Sequence, residues 1–229
     1  MLQNLIGEVR LATIHDVDAL TDLHLASFQR EEHVLMILGR SYVKATYTWL
    51  VTSKHAYALV ADLAGQIIGL LGVSDSPFAW PMFKACSGAL FLSVAKNPSL
   101  LLEKKIWQRV FRRPQHRKTP GGGIFKLHGI AQMTIGAVDV RYRGHGIFGR
   151  LIEASKETSR SRGTRAIVAG VYKRDSSSRR VFTKSGWPEV PELETPQTVF
   201  YLSLLESVLS DDLKVALELG GASIPLHNQ

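Results

Sequence analysis

Residues 138–154 read VDVRYRGHGIFGRLIEA. An apolar strand pattern ends on Val138 and Val140, and apolar residues resume beyond it at helical spacing. Between the two stand Gly144, Gly146 and Gly149. Glycine gives up backbone entropy and lowers helix propensity. Three of them at one strand-to-helix junction imply that something must approach the backbone closely. A helix N-terminus presents unpaired amides and a partial positive charge, which suit a phosphate. Gly144 and Gly146 would let pyrophosphate oxygens reach those amides without meeting a Cβ, and Arg143 and His145 can add side-chain donors. The usual phosphate motifs fit poorly. A P-loop needs Lys-Ser or Lys-Thr after its last glycine, where this chain has Arg150-Leu151. The Gly-x-Gly-x-x-Gly of a dinucleotide fold is satisfied, but it falls late in the chain and after a hairpin.

Working outward, GEVRLA at 7–12 reads as a short strand, and Thr13 with Asp16 as a helix start signal in which the threonine caps. Val17, Leu20, Leu23 and Ala26 share a helical face. A second helix is expected from about Glu32 to Val51, with Val34, Met36, Ile37, Leu38, Tyr42 and Trp49 on its apolar side. In AYALVADLAGQIIGLLGV, 56–73, two apolar runs flank Ala64-Gly65, a hairpin placed inside the sheet because both faces are apolar. Strands follow at 130–140, 165–172 and 196–206, with a helix reaching about Arg162 and stopped by Gly163, and a short helix at 175–187. A further helix is expected in the tail SDDLKVALELGG. The order β α α β β, insertion, β α β α β predicts an α/β fold with a single mixed sheet, parallel around the glycine junction.

Residues 76–128 break this rhythm. They open on SPFAWP, close on TPGGG, and are read as an insertion. Ten basic residues (Lys84, Lys96, Lys104, Lys105, Arg109, Arg112, Arg113, Arg117, Lys118 and Lys126) against Glu103 give the segment a net charge of +9, so of the total +8 the rest carries −1. Within it, residues 100–113 alternate apolar and basic pairs as a basic amphipathic helix would. The domain expected is 7–206, interrupted by 76–128, with a C-terminal extension at 207–229.

Composition is that of a globular chain: 45% hydrophobic and 21% charged. The one cysteine, Cys86, excludes an intramolecular disulfide and reads as a small buried side chain. The N-terminus lacks a signal-peptide pattern, and the apolar run at 85–95 is far short of the ~20 residues that span a bilayer. A soluble, cytoplasmic protein is expected.

The stretch AVDVRYRGHGIFGRLI resembles the acetyl-CoA-binding segment of the GNAT superfamily of N-acetyltransferases. In that family a strand ends in an Ala-Val type pair, followed by Arg-x-x-Gly-x-Gly or Arg-x-x-Gly-x-Ala. Arg143, Gly144, His145, Gly146 and Ile147 match in order; Phe148 occupies the final Gly/Ala position, with Gly149 one step later. The family's Asn-x-x-Ala, Tyr and Gly-Phe on the helix after the next strand correspond in spacing to Asp175, Ser178, Phe182 and Gly186-Trp187. Element order agrees, and VRLATIHDVDAL resembles the family's first strand and helix, so the likeness covers roughly 8–206 apart from the insertion.

This resemblance implies a sheet of GNAT type splayed at a CoA-binding cleft, with acetyl-CoA or a related acyl-CoA as co-substrate. The backbone of Val138 and Val140 would pair with the pantetheine arm, and the amides of Arg143, Gly144, His145, Gly146, Ile147, Phe148 and Gly149 would hold the pyrophosphate. A small-molecule or peptide amine would attack the thioester directly, a reaction that needs orientation, removal of a proton and stabilisation of an oxyanion. The family's usual proton donor is the tyrosine matched by Phe182, which cannot donate; Tyr172 is a candidate in its place. The strand 130–138 contains no Asp, Glu or His, where the family often has a glutamate. His128 and Asp139 flank it, and Glu31, Glu32 and His33 lie in the loop that in the family usually shapes the acceptor site; each reads as a surface residue before a base, and no catalytic residue or metal site is assigned. Other readings stay open: an acyltransferase fed by an acyl carrier protein, an acidic partner drawn to 76–128; a non-catalytic acyl-CoA-binding or sensing domain; and nucleic-acid binding, disfavoured because Trp107 and Phe111 fall on the apolar side of the basic pattern.

Overall fold

Six strands make one mixed sheet whose spatial order follows the chain: β1 (Glu8–Leu11), β2 (Ala56–Leu63), β3 (Gln66–Asp75), β4 (Ile130–Val138), β5 (Ala166–Tyr172) and β6 (Thr198–Leu204). The computed structural model describes residues 7–29, 33–102, 120–206 and 211–218. Helices are α1 (Val17–Ser27), α2 (Val34–Leu38), α3 (Arg40–Thr52), α4 (Ala79–Ala85), α5 (Ser87–Lys96), α6 (Ile147–Ser161), α7 (Ser176–Lys184) and α8 (Asp211–Glu218). The chain divides into two compact units, Met1–Ser74 with Phe78–Arg112 and Thr134–Ser155, and Asp75–Pro77 with Arg113–Met133 and Lys156–Gln229.

In the first unit β1 and β2 pair antiparallel from Glu8↔Asp62 to Leu11↔Leu59. The β2–β3 hairpin turns at Ala64 (φ 51°) and Gly65 (φ 87°). Two successive left-handed residues match the twist of the flanking strands, which is why Ala-Gly closes this turn. Both hairpin strands lie inside the sheet, as their two apolar faces require. Side chains alternate between faces: Ala58, Val60 and Leu70 meet Leu20, Tyr47 and Leu50 of α1 and α3 in one core. On the other face a Cβ at Gly69 would lie 3.0 Å from Ile147 and 3.2 Å from Leu151, so glycine there lets α6 sit close on the strand.

The expected single helix over 32–51 is two helices, α2 and α3, broken at Gly39 with φ +81°. The start signal at Thr13 holds as a reciprocal capping box. Asp16 is the acceptor, taking the Thr13 amide at 2.7 Å and hydroxyl at 3.0 Å. Arg10 adds bonds of 2.8 Å to Asp16 and to Asp62, and its guanidinium holds the Asp16 carboxyl well below the usual range. From the segment read as an insertion, Phe78, Met82, Cys86, Leu90, Val94 and Leu100 pack on this core. Cys86 is buried, and burial pushes its thiol up. The basic helix expected at 100–113 lies almost wholly outside the described residues.

In the second unit β4 pairs parallel with β5 from Ile130↔Ala166 to Met133↔Ala169, and β5 pairs antiparallel with β6 from Ala166↔Leu204 to Tyr172↔Thr198. One face carries Ile124, Phe125, Val168, Phe200, Leu202 and Leu213. Ile124 and Phe125 belong to a 3-10 segment, Pro120–Lys126, so the end of the expected insertion is core. Arg165 anchors α8 through Asp212 (2.7 Å) and grips Glu206 (2.6 Å).

Candidate functional site

The glycine junction lies entirely in the first unit. Strand β4 ends at Val138, one residue before the turn that aims the loop. The amide of Asp139 donates to the carbonyl of Ile68 at 2.9 Å. Its carboxylate accepts the Arg141 amide (3.0 Å), Nε (3.1 Å) and Nη2 (2.7 Å). This caps a 3-10 turn at Val140–Tyr142. The Arg141 side chain holds the Asp139 carboxyl below its ordinary range. With both oxygens engaged, Asp139 shapes the turn and is poorly placed to take a proton. Val140 therefore lies in the turn, 71% exposed, and the strand that sequence carried to residue 140 stops at Val138. Edge-on pairing to an extended ligand is a property of strand backbone, which Val138 has and Val140 lacks.

After the turn the chain doubles back. Arg143 Nε donates to the Val138 carbonyl at 3.1 Å. His145 Nδ1 lies 3.2 Å from the Tyr142 carbonyl and 3.0 Å from that of Arg143. Carbonyls only accept, so Nδ1 carries the proton and the neutral ring offers Nε2 as an acceptor. His145 can thus donate to an anion only as imidazolium.

Gly144 (φ +82°) and Gly146 (φ +77°) take left-handed backbone, and a Cβ at either would meet no heavy atom within 4 Å. Gly149 has no such backbone and no neighbour within 4 Å of an added Cβ, so nothing in the protein demands glycine there. The first bond of the α6 ladder runs from the Arg150 amide to the Gly146 carbonyl at 3.1 Å. The amides of residues 147–149 thus precede the ladder and point out of the helix end, where no acidic side chain stands in the first turn. The loop is exposed from Arg143 to Gly146. Exposed left-handed glycines just past a half-buried strand end, and an open helix N-terminus, make a cradle for an anion.

Phe148 is accommodated from the strand side. A Cβ at Gly136 of β4 would lie 2.5 Å from Phe148 Cε2, so the bulky residue in the motif is matched by a missing side chain opposite. Counted from Arg141, Arg-x-x-Gly-x-Gly runs through Gly144 and Gly146 with no mismatch and Phe148 lies outside it. The register taken from Arg143 is two residues late.

The second family segment lies in the second unit. Asp175 caps α7, accepting the Ser178 amide (2.9 Å) and hydroxyl (2.7 Å), which accounts for the Asp and Ser at those positions. Phe182 is buried, stacked on Tyr201 with centroids 5.1 Å apart and edge-on to Trp187 at 5.3 Å. The Tyr201 hydroxyl donates to Glu189 at 2.8 Å. Tyr172, at the end of β5, is half-exposed with Arg174 over its ring at 5.3 Å. His128 is exposed in the turn before β4. Glu31 and Glu32 lie outside the described residues.

One cluster gave no signal in sequence beyond its place on the apolar stripe of α1. His24 and Tyr47 are fully buried and joined at 2.9 Å through His24 Nδ1, with the rings of Phe28 and His33 at 4.8 and 5.0 Å from that of His24. Burial first, and the proximity of His33 second, hold the His24 pKa down to about 3, so the ring is neutral.

No protein-family model and no curated protein matches the chain. Solved structures do match it. An acetyltransferase of the GNAT family from Desulfovibrio desulfuricans is 11% identical at a TM-score of 0.55, over 87% of this chain and 99% of that one. The PaiA N-acetyltransferase of Thermoplasma acidophilum in complex with coenzyme A is 10% identical at 0.55, over 86% and 98%. The GNAT-family N-acetyltransferase YhbS of Escherichia coli, in complex with CoA, is 17% identical at 0.52, over 90% and 84%. The chain has the GNAT fold.

Proposed function

We propose that the protein is an N-acyltransferase that moves an acyl group, most simply acetyl, from acyl-CoA to the amine of a small-molecule or peptide acceptor in the cytoplasm, through the domain 7–206. The observation that carries this reading is the cradle at 143–149, where an added Cβ on any of three glycines meets no protein atom. The amides from Arg143 to Gly149 fit a pyrophosphate, with the Arg143 guanidinium beside them. Pantetheine fits along Thr134–Val138, because the ladder to β5 covers only Ile130–Met133. Val140 contributes as part of the turn. Bound acyl-CoA would supply an activated thioester carbonyl. The chain's share is to hold it in line for the amine and to keep the carbonyl close to backbone donors of β4.

The fold neighbours crystallised with CoA support this reading. Phe182 has no proton to give, and Asp139 is engaged by Arg141, so the thiolate leaves without a tyrosine's help, reasonable for a thiol of ordinary pKa ~8.5. The same two facts favour a second reading, a non-catalytic acyl-CoA-binding or sensing domain. The charge of 76–128 keeps an acidic partner, such as an acyl carrier protein donor, within the first. Incubating the protein with acetyl-CoA and a panel of amines while following free thiol separates them. Amine-dependent thiol release above the rate of hydrolysis supports the transferase; CoA binding without release for any amine supports the sensor.

A further inference from the structure

Helices α4 and α5 show two apolar faces where a surface helix needs one. Met82, Leu90 and Val94 are turned to the core. The opposite stripe of α5, at Ser87, Gly88, Phe91, Leu92, Ala95 and Lys96, is exposed, with Phe91 at 73% and Leu92 at 54%. On α4, Trp80 is 64% exposed and stacked on Phe83 with centroids 5.7 Å apart. Leaving large apolar side chains in water costs free energy, and a contiguous exposed stripe of them marks an interaction surface.

Charge says what that is. Two of the three exposed apolar anchors have a lysine four residues on, at the same helix face: Trp80 with Lys84, whose Nζ lies 5.4 Å from the indole centroid, and Leu92 with Lys96. No acidic residue occurs between Asp75 and Glu103. By sequence the chain then adds seven basic residues and one acid over 103–119. Aromatic and aliphatic side chains whose charged neighbours along the chain are all cations fit a surface that is apolar beneath and anionic above. Among the described residues no helix is long and apolar enough to cross a membrane, so contact is from one side.

We infer that the outer face of α4 and α5 docks the protein on an anionic lipid surface, Trp80, Phe91 and Leu92 entering the interface and Lys84 and Lys96 pairing with lipid phosphates. The assignment stands independently of the acyl-CoA reading.

Co-sedimentation tests it, using vesicles of phosphatidylcholine alone and of phosphatidylcholine with phosphatidylglycerol at about three to one. The wild-type chain is expected to bind the anionic vesicles, to bind the neutral ones far more weakly, and to be released as salt rises. Phe91→Ser with Leu92→Ser should lower the partition coefficient at least about tenfold. Lys84→Gln and Lys96→Gln should lower it about fivefold each on anionic vesicles and hardly on neutral ones. A blue shift of tryptophan emission on binding, smaller in Trp80→Phe, would place that indole in the interface. These side chains face outward, so unchanged melting temperatures show that the variants fold. The inference is overturned if neither vesicle binds, if both bind equally, or if the Phe91/Leu92 variant binds as wild type. It is overturned equally if the chain self-associates without lipid and that variant abolishes the association, which would make the face a protein interface.

Discussion

The loop at 139–149 and the segment at 175–187 both keep the spacing of one family, yet the first ends as open backbone and the second as closed core. At Gly144 and Gly146 the side chain is absent and the space beyond is empty. At Phe182 the space is filled by Tyr201 and Trp187. A motif's spacing reports where the backbone goes, because that is fixed by strand ends and helix turns. Whether chemistry occurs there depends on what each side chain touches, which spacing does not contain.

That contrast can be broken where packing is tightest. Phe182→Ala should cost about 3–5 kcal/mol of stability, the range for deleting a large buried aromatic, as read by denaturant titration. A loss below about 1 kcal/mol would mean that the ring is not held as core. Gly136→Ala should cost about 1–3 kcal/mol through the clash with Phe148. Adding Phe148→Leu should return part of that cost, and strict additivity in the double variant would contradict the contact.

A subtler effect belongs to His24. Its folded pKa of about 3 lies below the 6.5 of an unperturbed histidine, so the unfolded chain takes the proton first. The neutral-state stability is whole above about pH 6.5 and falls toward pH 3 by up to about 1.4 kcal/mol per pH unit. His24→Gln, which keeps a partner for Tyr47, should flatten that slope; equal slopes in both proteins would show that His24 does not titrate on unfolding. Smallest of all, Phe182→Tyr should change amine-dependent thiol release by less than about tenfold. A gain of several orders of magnitude would mark the wild-type chain as a binder rather than an enzyme.

Most of the architecture, and the backbone path of the candidate site, were legible in the sequence. The hairpin at Ala64-Gly65, the stop at Gly163 and the junction at 144–149 were legible because each rests on local backbone preference. Gly39 was hidden because apolar residues recur on both sides of it with one period, and only its left-handed φ separates α2 from α3. The end of β4 was placed two residues late, since the cap that Asp139 makes on the turn by accepting from Arg141 matters more than the apolarity of Val140. Gly136 opposite Phe148, and Ile124 with Phe125 in the second core, are tertiary facts with no local signature. At 10–18% identity to the fold's solved members, pattern survives in glycines and apolar periodicity while individual contacts do not.

The central claim is that the glycine loop holds the pyrophosphate of coenzyme A. Calorimetric titration of CoA into the wild-type protein and into Gly146→Val addresses it directly. An added Cβ there meets no protein atom, so the fold should bear only the left-handed strain of about 1–2 kcal/mol, visible as a modest drop in melting temperature. Binding by the wild type with at least about hundredfold weaker binding by the variant, both folded, is the result expected from a backbone cradle. Equal affinity in the two proteins, or no CoA binding by the wild type, would contradict it.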